Sequence, residues 1–233
     1  MPSGPSVACS AMARKHMEPP GFRRPTRRPA LIVDFGGVLT TSIWPAFAAF
    51  CESVGLAPGT VRDLFRGDGR ALALLRGLET GELADPEFER RFGELLGLDE
   101  HDGLITRMFA GVATDERMVG AVRAARAAGV PTGLISNSWG LGIYDRAPTE
   151  LFDATVISGE VGLHKPQPEI YLLGCERLGV EPAEAVFVDD LRENCEGAEA
   201  VGMTAVRHRD AAETLPALER LLGVALATTD RSP

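Results

Sequence analysis

Three aspartates in this chain stand where an apolar run stops. Asp34 ends the segment ALIVD at residues 30–34, and Asp189 and Asp190 end the segment AVFVDD at residues 185–190. Carboxylates without neighbouring histidines favour a hard cation such as Mg²⁺ over zinc. If the three acids converge, their chemistry includes a metal site and a carboxylate nucleophile.

Two further polar groups follow the same pattern. Ser136 and Asn137 come directly after an apolar segment, and Lys165 lies in a loop ahead of a proline-led helix. Lys15 and Lys165 are the only lysines among 24 basic residues, so a compact point charge is favoured at Lys165. Taken singly, a Ser-Asn pair or an Asp after a strand is typical of a turn. Together they suggest a phosphate site, in which an ammonium group and a cation allow the Asp34 carboxylate to attack phosphorus.

The apolar and polar periodicity predicts the elements that would bring these residues together. Strands are predicted at residues 30–34, 130–136, 152–158, 185–189 and 204–207. Helices are predicted at residues 115–128, with Thr114 as the N-cap, and at 168–178, 193–200 and 211–222. Apolar strands that alternate with helices indicate an open α/β fold with a parallel sheet covered on both faces. Ligands bind such sheets at the carboxyl ends of the strands, where all of these polar residues fall.

The segment at residues 44–111 is different, because it has helical periodicity, several glycines and no convincing strand. We predict that it is a helical cap inserted after the first strand, in a core domain formed by residues 29–43 and 112–224. Residues 1–28, which are rich in arginine and proline, are expected to be a disordered basic tail. Residues 225–233 are expected to be a flexible tail.

Composition excludes several classes of protein. The net charge of −9 and the pI near 5.0 argue against a nucleic-acid surface, and the segment from Arg14 to Arg28 has no apolar stretch long enough to span a membrane. The four cysteines have no paired spacing, so they are expected to be small buried hydrophobes in a reducing cytoplasm: Cys9, Cys51, Cys175 and Cys195. The sequence does not indicate an oligomeric state.

Four segments in order, DFGGVLT, LISNS, HKPQPEIY and VFVDDLREN, resemble the motifs of the haloacid dehalogenase superfamily. The resemblance is to its phosphatase-like members with a helical cap after the first strand, and it extends over about residues 30–210. It implies a Rossmann-like core. The cap segment LLRGLETGELADPEFERRFGELLG is also similar to caps in the branch that includes the phosphatase domain of soluble epoxide hydrolases.

The resemblance implies a role for each motif residue. Asp34 would form an aspartyl-phosphate on a small phosphorylated metabolite, with Lys165 assisting. Four residues would hold the phosphoryl oxygens: Gly37, Ser136, Asn137 and Lys165. The Mg²⁺ ligands would be the Asp34 carboxylate, the Gly36 carbonyl and one or both of Asp189 and Asp190, with Asp190 expected in direct contact.

One position departs from the family pattern. Most phosphatases of this superfamily carry a second Asp two residues after the nucleophile, where it protonates the leaving oxygen, and here that position is Gly36. A positioned general acid is typically worth about 10² to 10⁴ in rate. Without it, aryl phosphates should be cleaved better than alkyl phosphates. His164 is a conceivable substitute, although an exposed loop histidine is the simpler expectation.

Two alternatives to a phosphatase remain open. A 2-haloacid dehalogenase also lacks the second Asp, but that branch does not keep paired acids such as Asp189-Asp190. A non-catalytic binding module would explain Gly36, but not the retention of Lys165 in the folded region.

The cap does not disclose the substrate. Three of its acids are expected to form a helix surface and caps rather than a catalytic group: Glu79, Glu82 and Glu87. The aromatic residues nearest the expected pocket mouth are expected to be packing: Trp44, Phe47, Trp139 and Tyr144. Arg66 and Arg70 could meet a substrate anion or only solvent.

Overall fold

A computed structural model describes residues 28–140 and 149–226 of the chain. The two predicted tails fall almost wholly outside these residues, and so do Cys9 and Tyr144.

Five strands form one parallel sheet in the order β3-β2-β1-β4-β5. They are β1 (Ala30–Val33), β2 (Thr132–Ser136), β3 (Ala154–Ile157), β4 (Ala185–Asp189) and β5 (Thr204–Arg207). Every residue of β1, β2 and β4 is buried, as expected for strands covered on both faces. The predicted α/β fold with a parallel sheet is confirmed. Because β1 is central, its carboxyl end lies between those of β2 and β4.

Helices cover both faces of the sheet. They are α6 (Glu116–Ala127), α7 (Ser158–Val161), α8 (Pro168–Leu178), α9 (Arg192–Ala200) and α10 (Ala211–Leu222). Successive side chains of a strand point to opposite faces, and β1 follows this rule. Leu31 and Val33 belong to one buried cluster, which includes residues of α6 and α10, and Ile32 belongs to the other, which includes residues of α8 and α9.

Five helices between β1 and α6 form a helical insertion, which we define as residues 43–109. They are α1 (Ile43–Ser53), α2 (Thr60–Gly67), α3 (Gly69–Glu79), α4 (Asp85–Leu96) and α5 (Leu104–Phe109). The insertion has its own buried cluster, in which Phe65 stacks on Phe92 with ring centroids 4.8 Å apart. Because this cluster is separate from those of the sheet, the insertion packs as a distinct unit.

The insertion leaves and rejoins the sheet domain at adjacent points. Thr40 and Thr114 form an isolated antiparallel bridge. The Thr41 N–H donates to the Ala113 carbonyl at 2.7 Å, and the Asp115 N–H donates to the Leu39 carbonyl at 2.8 Å. These bonds hold the two connections side by side at the edge of the sheet where β1 ends.

The structure corrects some predicted boundaries. Thr114 is not the N-cap of α6, because its backbone lies in the antiparallel bridge. The N-cap is Asp115, whose carboxylate accepts hydrogen bonds from the backbone N–H groups of Arg117 and Met118 at 3.0 Å each. The strand predicted from residue 130 begins at Thr132, directly after Pro131, which has no N–H to donate to a sheet.

The cysteines that the structure describes agree with the prediction. Cys51, Cys175 and Cys195 are free and buried. Among the described helices, we find none that combines the length and the apolar character needed to cross a bilayer.

Candidate active site

Lys165 lies buried at the carboxyl edge of the sheet between two aspartates. Its Nζ is 2.7 Å from Asp34 Oδ1 and 2.7 Å from Asp189 Oδ2, and it donates a third hydrogen bond to the Ile135 carbonyl at 3.1 Å. Lys165 is 3% exposed, Asp34 8% and Asp189 0%. Residues from the ends of β1, β2 and β4 therefore converge on one ammonium group.

Both oxygens of the Asp189 carboxylate accept hydrogen bonds. Its Oδ1 accepts hydrogen bonds from the Leu191 N–H at 2.9 Å and from Asn194 Nδ2 at 3.0 Å, and its Oδ2 accepts from Asn194 Nδ2 at 3.1 Å as well as from Lys165. Asp189 does not line the cavity above the site, whereas Asp190 does. The Asp189 side chain therefore fixes the position of Lys165, and the Asp190 side chain faces the space that a ligand would enter.

Three carboxylates could hold a metal ion. Asp34, Asp189 and Asp190 each offer one oxygen, and these oxygens lie within 4.8 Å of one another. Carboxylate oxygens without histidine or thiolate match the preference of Mg²⁺. Three acids share one lysine here, so the cluster has surplus negative charge that a divalent cation would neutralise. The donor set therefore fits the predicted cofactor.

The pKa values of Asp34, Asp190 and Lys165 reflect their burial and the charges of their neighbours. Burial raises the pKa of Asp34 to about 7, with Lys165 lowering it and the charge of Asp189 raising it further. Burial, followed by the charge of Asp189, raises the pKa of Asp190 to about 6. Burial disfavours the charged form of Lys165, but the charges of Asp189 and Asp34 prevail and raise its pKa above the ordinary value. Asp34 and Asp190 are thus easier to protonate than in water, and a bound cation would favour their ionised forms.

Ser136 and Asn137 end β2 at the wall of the cavity. The Asn137 side chain is occupied, because its Nδ2 donates to the Lys165 carbonyl at 3.1 Å and its Oδ1 accepts from the Lys165 N–H at 2.8 Å. The Asn137 side chain therefore holds the loop that carries Lys165. Any contact between Asn137 and a phosphoryl oxygen would have to come from its backbone N–H.

Gly36 and Gly37 form the turn after Asp34 and have different surroundings. Gly37 has φ +73°, and a Cβ there would lie 2.7 Å from Asp190 Oδ2, so only glycine allows the Asp190 carboxylate to approach. The Gly37 N–H donates to Thr40 Oγ1 at 3.1 Å. A Cβ at Gly36 would meet nothing within 4 Å. The absence of a side chain at position 36 is therefore not imposed by packing.

A cavity of about 890 Å³ opens above this edge, and both parts of the molecule line it. The sheet domain contributes Asp34, Ser136, Lys165 and Asp190, and the insertion contributes residues of α1, α3, α4 and α5. The structure thus brings the predicted site residues together, with Gly36, Gly37 and Asn137 on the same wall and Asp189 beneath it.

Aromatic side chains close one side of the cavity. Trp139, in the loop after β2, lies edge-on to Phe47, Phe65 and Phe109 with ring centroids 5.4, 5.4 and 5.5 Å away. Trp44 packs against Phe47 at 5.9 Å. These rings are packing, as predicted, but Trp44 and Trp139 also line the cavity. Trp139 joins the sheet domain to the aromatic core of the insertion.

The acids of the insertion divide into two groups. Glu87 pairs with Arg90 at 2.8 Å on the helix surface, and Glu82 lies outside the cavity, as expected for both. Glu79 departs from the expectation, since it is partly buried and lines the cavity. Burial raises the pKa of Glu79 to about 7, where Lys165 lowers it and the charge of Asp34 raises it.

Three other residues considered for contact with the substrate or its proton lie outside the cavity lining. Arg70 pairs with Asp68 at 2.9 Å, and neither Arg70 nor the exposed Arg66 lines the cavity. His164 also lies outside the cavity lining; its Nε2 is 2.7 Å from Arg76 Nη2, and its Nδ1 is 2.9 Å from the Lys165 carbonyl. Both ring nitrogens are therefore engaged, so His164 does not replace the missing acid.

Two residues of this site were not predicted from the sequence. Asn194 lines the cavity and donates to both oxygens of Asp189; it stands five residues after that acid within the motif VFVDDLREN, which was the available signal. Glu79 carries no signal in its local sequence, because its place depends on how the insertion packs on the sheet.

Comparison with known proteins agrees with this fold. Residues 29–202 match the family model of the haloacid dehalogenase-like hydrolases. The match covers most of the chain, which therefore belongs to this hydrolase family.

Curated relatives include both phosphatases and a dehalogenase. The chain is 28% identical to bifunctional epoxide hydrolase 2 of Sus scrofa over 88% of this chain and 40% of that protein. It is 41% identical to glyceraldehyde 3-phosphate phosphatase of Methanopyrus kandleri over 34% of each. It is 36% identical to (S)-2-haloacid dehalogenase 1 of a Pseudomonas species over 38% of this chain and 41% of that protein. The chain spans less than half the length of each of these relatives.

Solved structures show the same fold. A HAD-like hydrolase from Porphyromonas gingivalis superposes with a TM-score of 0.69 at 20% identity, covering 84% of this chain and 98% of that one. A HAD-family enzyme from Bacteroides thetaiotaomicron, in complex with magnesium and inorganic phosphate, superposes with a TM-score of 0.63 at 21% identity, covering 78% and 94%.

Proposed function

We propose that this hydrolase is a Mg²⁺-dependent phosphatase that cleaves a small phosphomonoester through an aspartyl-phosphate on Asp34. The observation that carries the proposal is the buried Lys165, 2.7 Å from both Asp34 and Asp189, at the base of a cavity bordered by carboxylate oxygens. A nucleophile, an ammonium group and a divalent-cation donor set at one sheet edge match the needs of phosphoryl transfer.

Each residue has a distinct task in this proposal. The Asp34 carboxylate attacks phosphorus, and Lys165 offsets the negative charge that would otherwise repel the two groups. Ser136 lies on the cavity wall, where its hydroxyl can hydrogen-bond a phosphoryl oxygen. Asp189 and Asn137 act indirectly, by holding the side chain and the backbone of Lys165.

The proposed Mg²⁺ ligands are the Asp34 and Asp190 carboxylates and the Gly36 carbonyl, with Asp189 behind them. A bound cation supplies Lewis-acid polarisation and charge neutralisation to a phosphoryl group. Gly37 belongs to the same wall, and its role is to leave room for Asp190.

We propose that residues 44–111 act as a cap that selects the substrate. Insertion residues make up about a third of the cavity lining, and 890 Å³ is a volume suited to a small metabolite. A cytoplasmic location is supported by three buried free cysteines, which a reducing compartment would preserve.

The test is hydrolysis of a panel of small phosphate esters by the native protein and by an Asp34→Asn variant, with Mg²⁺ and with a chelator. We expect release of inorganic phosphate that requires both Asp34 and Mg²⁺. Phosphate release that survives in the variant, or that ignores the chelator, would contradict the proposal.

A 2-haloacid dehalogenase is the second candidate, because one relative has that activity and Gly36 suits it. Displacement at carbon needs no metal, so the clustered acids Asp34, Asp189 and Asp190 weigh against it. Chloride release from 2-chloropropionate in the presence of chelator would favour the dehalogenase. A non-catalytic binding module would instead bind Mg²⁺ without hydrolysing any ester of the panel.

A further inference from the structure

Three acids of the insertion face the cavity, and they differ in their hydrogen bonds. Glu89 is fully used, because its two oxygens accept from the Gly103 and Ile105 N–H groups at 3.0 Å each and so cap α5. Asp85 lies in the first turn of α4. Within the described part of the chain, the Glu79 carboxylate makes neither a hydrogen bond nor an ion pair. Its carboxyl group is therefore available to a ligand.

The backbone at Glu79 is fixed to the sheet domain. The buried Ser158 hydroxyl donates to the Glu79 carbonyl and accepts from the Ser138 N–H at 2.7 Å. Two residues further on, a Cβ at Gly81 would lie 2.5 Å from the Gly159 carbonyl oxygen, so the two backbones are in close contact there. The end of α3 is thus anchored to α7, the short helix that follows β3, and through Ser158 to the loop after β2, which holds Glu79 beside the reacting edge.

The charges around Glu79 come from the same site. Its pKa is raised to about 7 chiefly by burial, with Lys165 and Arg76 lowering it and Asp34 raising it. A carboxyl group that exchanges its proton near neutral pH is suited to act first as an acid and then as a base.

We propose that Glu79 is the general acid and base of this phosphatase, in place of the aspartate that Gly36 lacks. The inference rests on the proposed phosphatase function. In the family pattern the proton comes from an aspartate in the turn after the nucleophile. In this proposal it comes from Glu79 of the insertion.

The proposed reaction has two steps, in which Glu79 first gives up a proton and then takes one back. In the first step an Asp34 oxygen bonds to phosphorus, the bond from phosphorus to the ester oxygen breaks, and that oxygen takes the proton of the Glu79 carboxyl. In the second step the Glu79 carboxylate takes a proton from water, whose oxygen attacks the phosphorus of the aspartyl-phosphate. Inorganic phosphate leaves, the Asp34 carboxylate is restored, and Glu79 is again protonated.

Leaving-group dependence distinguishes proton transfer from a structural role. Alkoxide departure needs a proton and para-nitrophenolate departure does not. With glycerol phosphate, Glu79→Gln should therefore lower turnover by about 10²- to 10⁴-fold. With para-nitrophenyl phosphate, the same variant should keep the rapid first burst of para-nitrophenolate and then stall as aspartyl-phosphate accumulates.

Matched variants separate this role from the general effects of removing a charge. Glu82→Gln removes an acid three residues away that lies outside the cavity and should leave both substrates unaffected. Asp85→Asn removes another cavity acid and should leave the ratio of alkyl to aryl rates unchanged. Because the space around Gly36 is open, Gly36→Asp in the Glu79→Gln protein should restore alkyl turnover.

The experiments distinguish failure of the phosphatase proposal from failure of the role of Glu79 alone. Native protein that releases para-nitrophenolate without needing Asp34 would overturn the phosphatase proposal and the role of Glu79 with it. Asp34-dependent native turnover, together with Glu79→Gln behaving like Glu82→Gln, would overturn Glu79 alone. Equal loss of the aryl burst and the alkyl rate, or failure of Gly36→Asp to raise the alkyl rate, would also overturn it.

Discussion

The carboxyl edge of the sheet and the surface of the helical insertion both contain ion pairs of similar length. Lys165 and Asp34 lie 2.7 Å apart with side chains 1% and 11% exposed, whereas Arg90 and Glu87 lie 2.8 Å apart with side chains 51% and 44% exposed. Water screens the second pair and not the first. Burial raises the pKa of Asp34 above its ordinary value, whereas the hydrogen bond to Arg90 lowers the pKa of the exposed Glu87.

The two regions also divide the proposed chemistry. The sheet edge holds the proposed nucleophile and metal donors at or just after the strand ends, together with Lys165 from the loop between α7 and α8. The insertion holds Glu79 and the substrate-facing wall. Changes at the edge should therefore affect every substrate, and changes in the insertion should depend on the substrate.

The largest effect is expected from Asp34→Asn. Loss of a covalent nucleophile should lower kcat/KM for every phosphate ester by about 10⁴-fold or more. Steady-state kinetics on alkyl and aryl esters would measure it. A residual activity above a tenth of native on either ester would place the reacting group elsewhere.

Lys165→Met should destabilise the fold by about 3–5 kcal/mol, because it leaves the buried Asp34 and Asp189 without their cation. Denaturant unfolding without added metal measures this change. In the double variant with Asp34→Asn, the loss should be smaller than the sum of the two single losses, since one of the uncompensated charges is gone. Strict additivity would show that Lys165 and Asp34 are not energetically coupled.

Gly37→Ala and Gly36→Ala form a matched pair. At Gly37 the added Cβ meets a positive φ and the Asp190 carboxylate, so we expect a loss of about 1–2 kcal/mol in unfolding free energy and a higher Mg²⁺ requirement. At Gly36 the Cβ enters open space, so the change should stay within about 0.5 kcal/mol. Equal effects at the two positions would contradict the arrangement of this turn.

Arg90→Ala should have the smallest effect. Its pairs with Glu87 and Glu94 are exposed, so we expect no measurable change in thermal midpoint or in activity. Differential scanning calorimetry at low and high salt is the check. A loss comparable to that of Lys165→Met would remove the contrast between the two regions.

The sequence was most informative for the elements of the buried core, where packing requires apolar residues. Apolar runs placed β4 and β5 at their observed bounds, and Asp34, Ser136 and Asp189 were expected at one edge because parallel strands end together. The N-cap of α6 was misplaced by one residue. Thr114 and Asp115 are both good N-caps, and the choice depends on the bridge between Thr114 and Thr40, which is a tertiary contact.

The site was less predictable wherever it depends on packing between regions. Glu79, Glu82 and Glu87 have similar local surroundings in the sequence, and only the close approach of α3 to α7 at Ser158 brings Glu79 to the cavity. Asn137 was expected to hold a phosphoryl oxygen, but the sequence did not indicate that its side chain holds the backbone of Lys165. A sequence motif identifies the residues of a site but not the direction in which each polar group points.

The most direct test of the account is chemical trapping of the phosphorylated residue. Native protein is mixed with para-nitrophenyl phosphate and Mg²⁺, quenched, reduced with borohydride and digested, and the peptides are analysed by mass spectrometry. Reduction converts an aspartyl-phosphate to homoserine, which we expect at position 34 and in greater yield in the Glu79→Gln protein. Homoserine at another position, or an unmodified Asp34 during active turnover, would contradict the claim that Asp34 takes the phosphoryl group.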